Sequence, residues 1–151
     1  LGDVYKRQQV ALVPTLVNIQ TFPNIAARAE AKYPVYAAHM RSLHQRHVDT
    51  VGKAVDAGVP VYAGTDAGGT IAHGQISTEI RLLSQLRDPL FGLGAASWRA
   101  RSWLTGDQAA AGLGVGAAAD LLVLDADPRR DVTAIAHPTF VVLRGRVLRD
   151  R

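Results

Sequence analysis

Cysteine is absent from all 151 residues, which excludes disulfides, thiolate metal sites and cysteine nucleophiles. Any metal must then be held by nitrogen and oxygen ligands, drawn from five histidines and thirteen carboxylates. Aromatic residues make up only 6% of the chain. The formal charge of +4 is spread along it, with Arg144, Arg146, Arg149 and Arg151 as the one local concentration. Nucleic-acid binding would need a basic stripe interleaved with aromatics, so the charge reads as a solvated surface and no nucleic-acid partner is expected. No apolar run approaches the roughly 18 to 20 residues of a membrane span, and no signal peptide opens the chain; a cytoplasmic location and no membrane partner are expected. No serine sits in a Gly-x-Ser-x-Gly elbow, which argues against a serine hydrolase. What is present, 48% hydrophobic and 20% charged residues, is the profile of a globular protein able to bury one core.

Residues 1–8 stand apart. Asp3-Val4-Tyr5-Lys6-Arg7-Gln8 looks like one reading frame of a transposon end used in sequencing libraries. Such a scar is set aside from fold reasoning, and it implies that the natural protein extends upstream of Gln9.

From Val10 to Val17 a short, almost wholly apolar segment has the pattern of a strand buried on both faces of a parallel sheet. Pro14 would interrupt the ladder and turn the chain into a loop. A helix is predicted from about Pro23-Asn24 to just before Pro34. A longer one follows over Val35 to Ala57, with an apolar stripe at Tyr36, Met40, Leu43, Val51 and Ala54 and a stop at Gly58. Val59 to Ala63 reads as a second buried strand running into Gly64-Thr65-Asp66-Ala67-Gly68-Gly69. Ile76 to Leu86 is an amphipathic helix, and Ala95 to Leu104 another, with Trp98 and Leu104 expected inward and Arg99 and Arg101 outward. Strands alternating with helices imply βα units with parallel pairing. After Gly106 the character changes: Gly112, Gly114 and Gly116 punctuate a loop, Ala119 to Asp125 reads as a strand, and Phe140 to Leu143 with Arg146 to Leu148 form a hairpin around Arg144-Gly145. The expected organisation is a non-native segment at 1–8, an α/β part at 9–106 and a small β element at 107–151.

Chemistry concentrates at Asp66. In βα barrels active sites are built at the C-terminal ends of the strands, and a carboxylate there can bind a divalent metal and take a proton from attacking water. Gly68 and Gly69 beside it let a ligand approach the backbone closely and permit positive φ. The plainer alternative is an aspartate that caps the next helix or stabilises a turn. The same glycines lack both the Lys-Ser/Thr ending of a phosphate loop and the spacing of a dinucleotide fingerprint. His73, a few residues on, is placed to reach a substrate or ligand, or is simply solvated. His39, His44 and His47 share one helix without the intervening Glu of helix-borne zinc proteases and read as structural or surface residues. His137, before Pro138, reads as a turn residue.

Val13-Pro14-Thr15-Leu16, Ala57-Gly58-Val59-Pro60-Val61 leading to Gly64-Thr65-Asp66-Ala67-Gly68-Gly69, His73-Gly74 with Glu79, and Gly116-Ala117-Ala118-Ala119-Asp120-Leu121 with Asp127-Pro128 together resemble the C-terminal part of the amidohydrolase superfamily, nearest its imidazolonepropionase-like branch. The resemblance implies an α/β fold: the last two βα units of a TIM-like (β/α) barrel, over 9–106, and part of a small β-sandwich built from both chain ends. It makes Asp66 the aspartate of the last barrel strand, a metal ligand and proton shuttle. It puts His73, with Gly68 and Gly69, beside a small-molecule substrate, and it implies one or two zinc ions in the parent enzyme. The family's His-x-His on the first strand and its mid-barrel ligands have no counterpart here. The chain by itself is therefore expected to be inactive, while its parent hydrolyses a C–N bond, of non-peptide class, with metal-activated water; oligomerisation stays open. A small non-catalytic α/β binding or interaction module is the alternative.

Overall fold

The computed structural model describes residues 10–108 and 112–150; the segment 1–8 lies outside them. Contacts group the chain into two units, Leu1–Gln75 and Ile76–Arg151, so the helices between Ile76 and Thr105 fall in the same unit as the β element that follows.

In the first unit, the two apolar segments predicted to pair in parallel meet at one bridge, Leu12 with Val61. The Leu12 N–H donates to the Pro60 carbonyl at 2.8 Å, and the Leu12 carbonyl accepts from the Tyr62 N–H at 3.0 Å. One residue bonded to the two neighbours of its partner is the signature of a parallel ladder. The pairing is shorter than the predicted strands because Pro14 offers no N–H to continue it. Beyond Pro14 the chain turns through Thr15 into α1 (Leu16–Ile19) and then α2 (Phe22–Ala29) and α3 (Pro34–Asp56). Proline in the first turn starts both longer helices, where its missing N–H costs nothing. The α2–α3 contact buries Ala26, Ala37 and Met40 against Phe22 and Ile25, and Arg41 reaches back from α3 to Glu30 at 3.0 Å.

The buried stripe of α3 differs from the predicted one. Ala37, Met40 and Val51 are buried, with His44 and His47 half-buried between them, a run of alternating threes and fours. Tyr36 and Leu43 are exposed. Small Ala37 lets α2 approach closely, so the seam settles one residue away from the bulky apolar positions.

The second unit begins with α4 (Ile76–Ser84), α5 (Pro89–Ala96) and α6 (Trp98–Thr105). Helix α5 was not predicted, although its start is marked: Asp88 accepts from the Phe91 N–H at 2.8 Å and Pro89 occupies the first turn, a standard capping arrangement. The single helix expected over Ala95 to Leu104 is instead broken at Ser97, whose φ of −137° and ψ of −106° are non-helical. The break rotates α6 out of phase, which reverses the expected faces. Leu104 is 75% exposed and Trp98 40% exposed. Arg99 turns inward, donating to the Phe91 carbonyl at 2.8 Å with its guanidinium 4.7 Å from the Phe91 ring centre.

The β element is an antiparallel sheet in the order β1 (Leu121–Val123), β2 (Phe140–Leu143), β3 (Arg146–Asp150). A short 3₁₀ helix (Val132–Ala136) packs against α4. An apolar cavity of about 530 Å³ opens among Ile80, Leu93, Leu121, Leu124, Ile135 and Val142. The hairpin turn lies where Arg144-Gly145 predicts it, both residues at positive φ. Asp120 fastens that turn: it accepts from the Arg144 N–H at 2.7 Å and from Arg101 Nη1 at 3.1 Å. These bonds, the backbone one first, hold its carboxyl below the usual aspartate range. A carboxylate with a lowered native pKa stabilises the fold above its unfolded pKa, and that stability is lost as pH falls through the native value. Asp120→Asn should therefore melt at a lower temperature than wild type at pH 7. The gap in melting temperature, followed by circular dichroism, should persist as pH falls to the ordinary aspartate value of about 3.9 and close only below it; a gap that ignores pH would discount the ionic bonds. No helix of the described residues is long and apolar enough to cross a membrane.

Candidate functional site

Asp66 follows directly on the strand segment that pairs through Val61. Its neighbour Gly64 is required there by packing: a Cβ on it would stand 2.4 Å from Val13 Cγ1, so glycine lets the two parallel segments lie side by side. Asp66 itself adopts a left-handed backbone, φ 53°, and its side chain is exposed. It caps no helix, since α4 starts only at Ile76. Of the two plainer alternatives, a helix cap or a turn, the geometry removes the first.

One carboxylate oxygen is occupied. Asn18, on α1, donates from Nδ2 to Asp66 Oδ2 at 2.7 Å, and among the described residues no hydrogen bond engages Oδ1. Asn18 reaches this point because the chain bends sharply after Pro14. Thr15, at φ 49° and ψ 52°, is a β-branched residue in the left-handed region, a conformation that costs roughly 1–2 kcal/mol. Two strained residues, Thr15 and Asp66, thus terminate two neighbouring parallel segments, and backbone strain of this kind clusters at functional sites.

Around them, Thr21 Oγ1 donates to the Asn18 carbonyl at 2.7 Å and lies 3.4 Å from Asn18 Oδ1. Gln20 Nε2 is 3.3 Å from His47 Nε2, and His47 Nδ1 meets the His44 carbonyl, so His47 is tied into the helix packing. Gly68 adopts φ 114°, while at both Gly68 and Gly69 the direction of a Cβ opens into free space, as a ligand approaching the backbone requires. His73 is exposed on the following loop, with no hydrogen bond joining it to Asp66. Among the described residues no group of three or more His, Cys, Asp or Glu is placed to hold a metal ion. Asp66 alone does not make a zinc site, and the residues present do not fit one.

Asn18 is the site residue that sequence reading overlooked. Its signal is the Pro14-Thr15 break on the partner strand, which the sequence reads as a turn into a loop and which the structure directs at Asp66.

The backbone arrangement is that of amidohydrolase-type hydrolases. Over 99% of its length the chain superposes on a prolidase solved with N-methylphosphonate-L-proline, with a TM-score of 0.80 and 25% identity, covering 37% of that protein. A Xaa-Pro dipeptidase solved with methionine in its active site matches over 97% of the chain at a TM-score of 0.75 and 20% identity, covering 36% of its length. Ochratoxinase from A. niger matches at a TM-score of 0.77 and 22% identity, over 99% of the chain and 34% of the enzyme. The amidohydrolase resemblance read from the motifs thus holds for the fold, and the chain corresponds to just over a third of such a protein.

In sequence, the chain is 50% identical over 137 residues to the uncharacterized proteins Mb2939c of Mycobacterium bovis and Rv2915c of Mycobacterium tuberculosis. The alignment takes in 90% of this chain and 36% of each relative, so the chain spans about a third of the curated proteins it matches. No family model matches it.

Proposed function

We propose that this chain is the C-terminal portion of a metal-dependent amidohydrolase that cleaves a C–N bond in an amide, cyclic amide or dipeptide-like small molecule. The observation that carries the reading is the Asp66 carboxylate: exposed, at the end of a segment paired in parallel, on a strained backbone, with Oδ2 held and Oδ1 free. In this role Asp66 Oδ1 takes the proton of the attacking water, and Gly68, Gly69 and His73 contact the substrate. The fold likeness to a prolidase and a Xaa-Pro dipeptidase favours a dipeptide-like bond over the non-peptide class expected from sequence. The imidazolonepropionase-like placement and the cytoplasmic location belong to the same proposal.

Residues 9–106 are proposed as the last βα units of a (β/α) barrel and 107–151 as part of a composite β subdomain. Exposed Leu122, Val123, Leu143, Val147 and Leu148 on a three-stranded sheet support this, since apolar residues gathered on a small sheet are normally covered. Zinc is proposed for the longer protein, with Asp66 contributing one oxygen and the other ligands coming from beyond the described residues.

Two measurements test the reading on the chain as it stands. Titrated with zinc in a calorimeter it should bind weakly, and it should hydrolyse no N-acyl amino acid or Xaa-Pro dipeptide. Tight one-to-one binding or measurable turnover would contradict the assignment of the missing ligands to another part of the protein.

A further inference from the structure

We infer that Asn18 is a positioning residue for the reaction, fixing the Asp66 carboxylate so that Oδ1, and not Oδ2, is the atom that accepts the proton; the inference rests on Asp66 being the catalytic carboxylate. An ionised carboxylate only accepts hydrogen bonds, so the 2.7 Å contact to Oδ2 requires the NH₂ end of the Asn18 amide to face it. Asn18 Oδ1 must then point away, towards the Thr21 hydroxyl at 3.4 Å, whose firmer bond, at 2.7 Å, is to the Asn18 carbonyl.

The support beneath Asn18 is short and bent. Helix α1 has four residues, its first turn closed by the Asn18 N–H donating to the Thr15 carbonyl at 2.9 Å, and Thr15 is held at positive φ. A relaxed backbone at Thr15 would swing α1 away and leave Asp66, an exposed side chain on a loop, free to rotate. A charge-assisted hydrogen bond at this length is also about twice as strong as a neutral one, enough to select one carboxylate rotamer. Catalytic groups lose rate steeply when displaced, about a hundredfold for 1 Å, so losing this restraint should lower kcat and leave substrate affinity nearly intact.

The experiment compares Asn18→Ala, Asn18→Gln and Asp66→Asn in the full-length protein, assayed on a panel of Xaa-Pro dipeptides, N-acyl amino acids and cyclic amides. Asn18→Ala should lower kcat about 10- to 100-fold with KM changed less than about twofold, and Asn18→Gln, which keeps the donor, should recover most of the loss. In the 151-residue chain, the side-chain amide resonance of Asn18 should move on Asp66→Asn. Should Asn18→Ala not fold, Asn18→Ser, too short to reach Oδ2, takes its place with the same expectation. Wild-type kcat in the donor-less variant, alongside an inactive Asp66→Asn, would overturn the inference and leave the hydrolase reading standing. A loss in kcat that comes with a fall in melting temperature, neither recovered by Asn18→Gln, would also overturn it, by reducing Asn18 to a structural part. Full turnover by Asp66→Asn, or none of the panel cleaved by wild type, would overturn both readings.

Discussion

In the full-length protein, Asp66→Asn is expected to cut turnover by about 10²- to 10⁴-fold, the range a general base contributes, with the fold intact. The substitution is a clean one for reasons local to this site. Asparagine tolerates the left-handed backbone far better than other non-glycine residues, so the φ of 53° at position 66 survives the change. Its side-chain oxygen still accepts from Asn18 Nδ2. What is lost is a negative charge and a proton acceptor on an exposed side chain, which has little bearing on stability. Asp66→Ala would mix two effects, because alanine at this φ carries a strain of roughly 1–2 kcal/mol and abandons Asn18. Initial rates together with a thermal melt separate the outcomes. Loss of rate at an unchanged melting temperature places Asp66 in the chemistry, whereas an unchanged rate would leave a non-catalytic module as the better account.

The elements that carry Asp66 were legible because each is announced by residues with one strong preference. Gly58 ends a long amphipathic helix, the apolar run at Val59 to Ala63 follows, and Gly64 to Gly69 offers a loop at the strand end. Parallel pairing was likewise readable, since two short runs apolar on both faces separated by helices have few other solutions. Two things were not. The face of a helix depends on the phase of its neighbours, so a single non-helical residue at Ser97 was enough to turn Arg99 inward and Leu104 outward. The partner of Asp66 also lies 48 residues away in sequence, on the far side of a strained turn. Nothing in the composition of Leu16 to Gln20 distinguishes an aimed asparagine from a solvated one; the distinction exists only once Thr15 has set the direction of the chain.

The second unit should be most sensitive at Gly92. A Cβ there would stand 2.4 Å from the Ile80 carbonyl oxygen and 3.0 Å from the Ser84 N–H nitrogen, besides 2.2 Å from Ser84 Oγ. The hydroxyl can rotate, although doing so breaks its bond to the same Ile80 carbonyl at 2.8 Å. The two backbone atoms belong to α4 and cannot yield without moving the helix. Gly92→Ala therefore has to push α5 off α4, opening the packing around Leu83 and Ala95, both fully buried. Overpacking of this kind costs about 1–3 kcal/mol, and a chain of 151 residues loses roughly 2–4 °C in Tm per kcal/mol, so the melting transition should fall by about 2–12 °C. Gly52→Ala is the opposite case. It lies inside α3 with nothing within 4 Å of the added carbon, and replacing an unconstrained helical glycine gains about 0.5–1 kcal/mol. Calorimetric melts of the two variants should thus move in opposite directions. If Gly92→Ala melted at the wild-type temperature, the close approach of α4 and α5 would not be a feature of the folded chain.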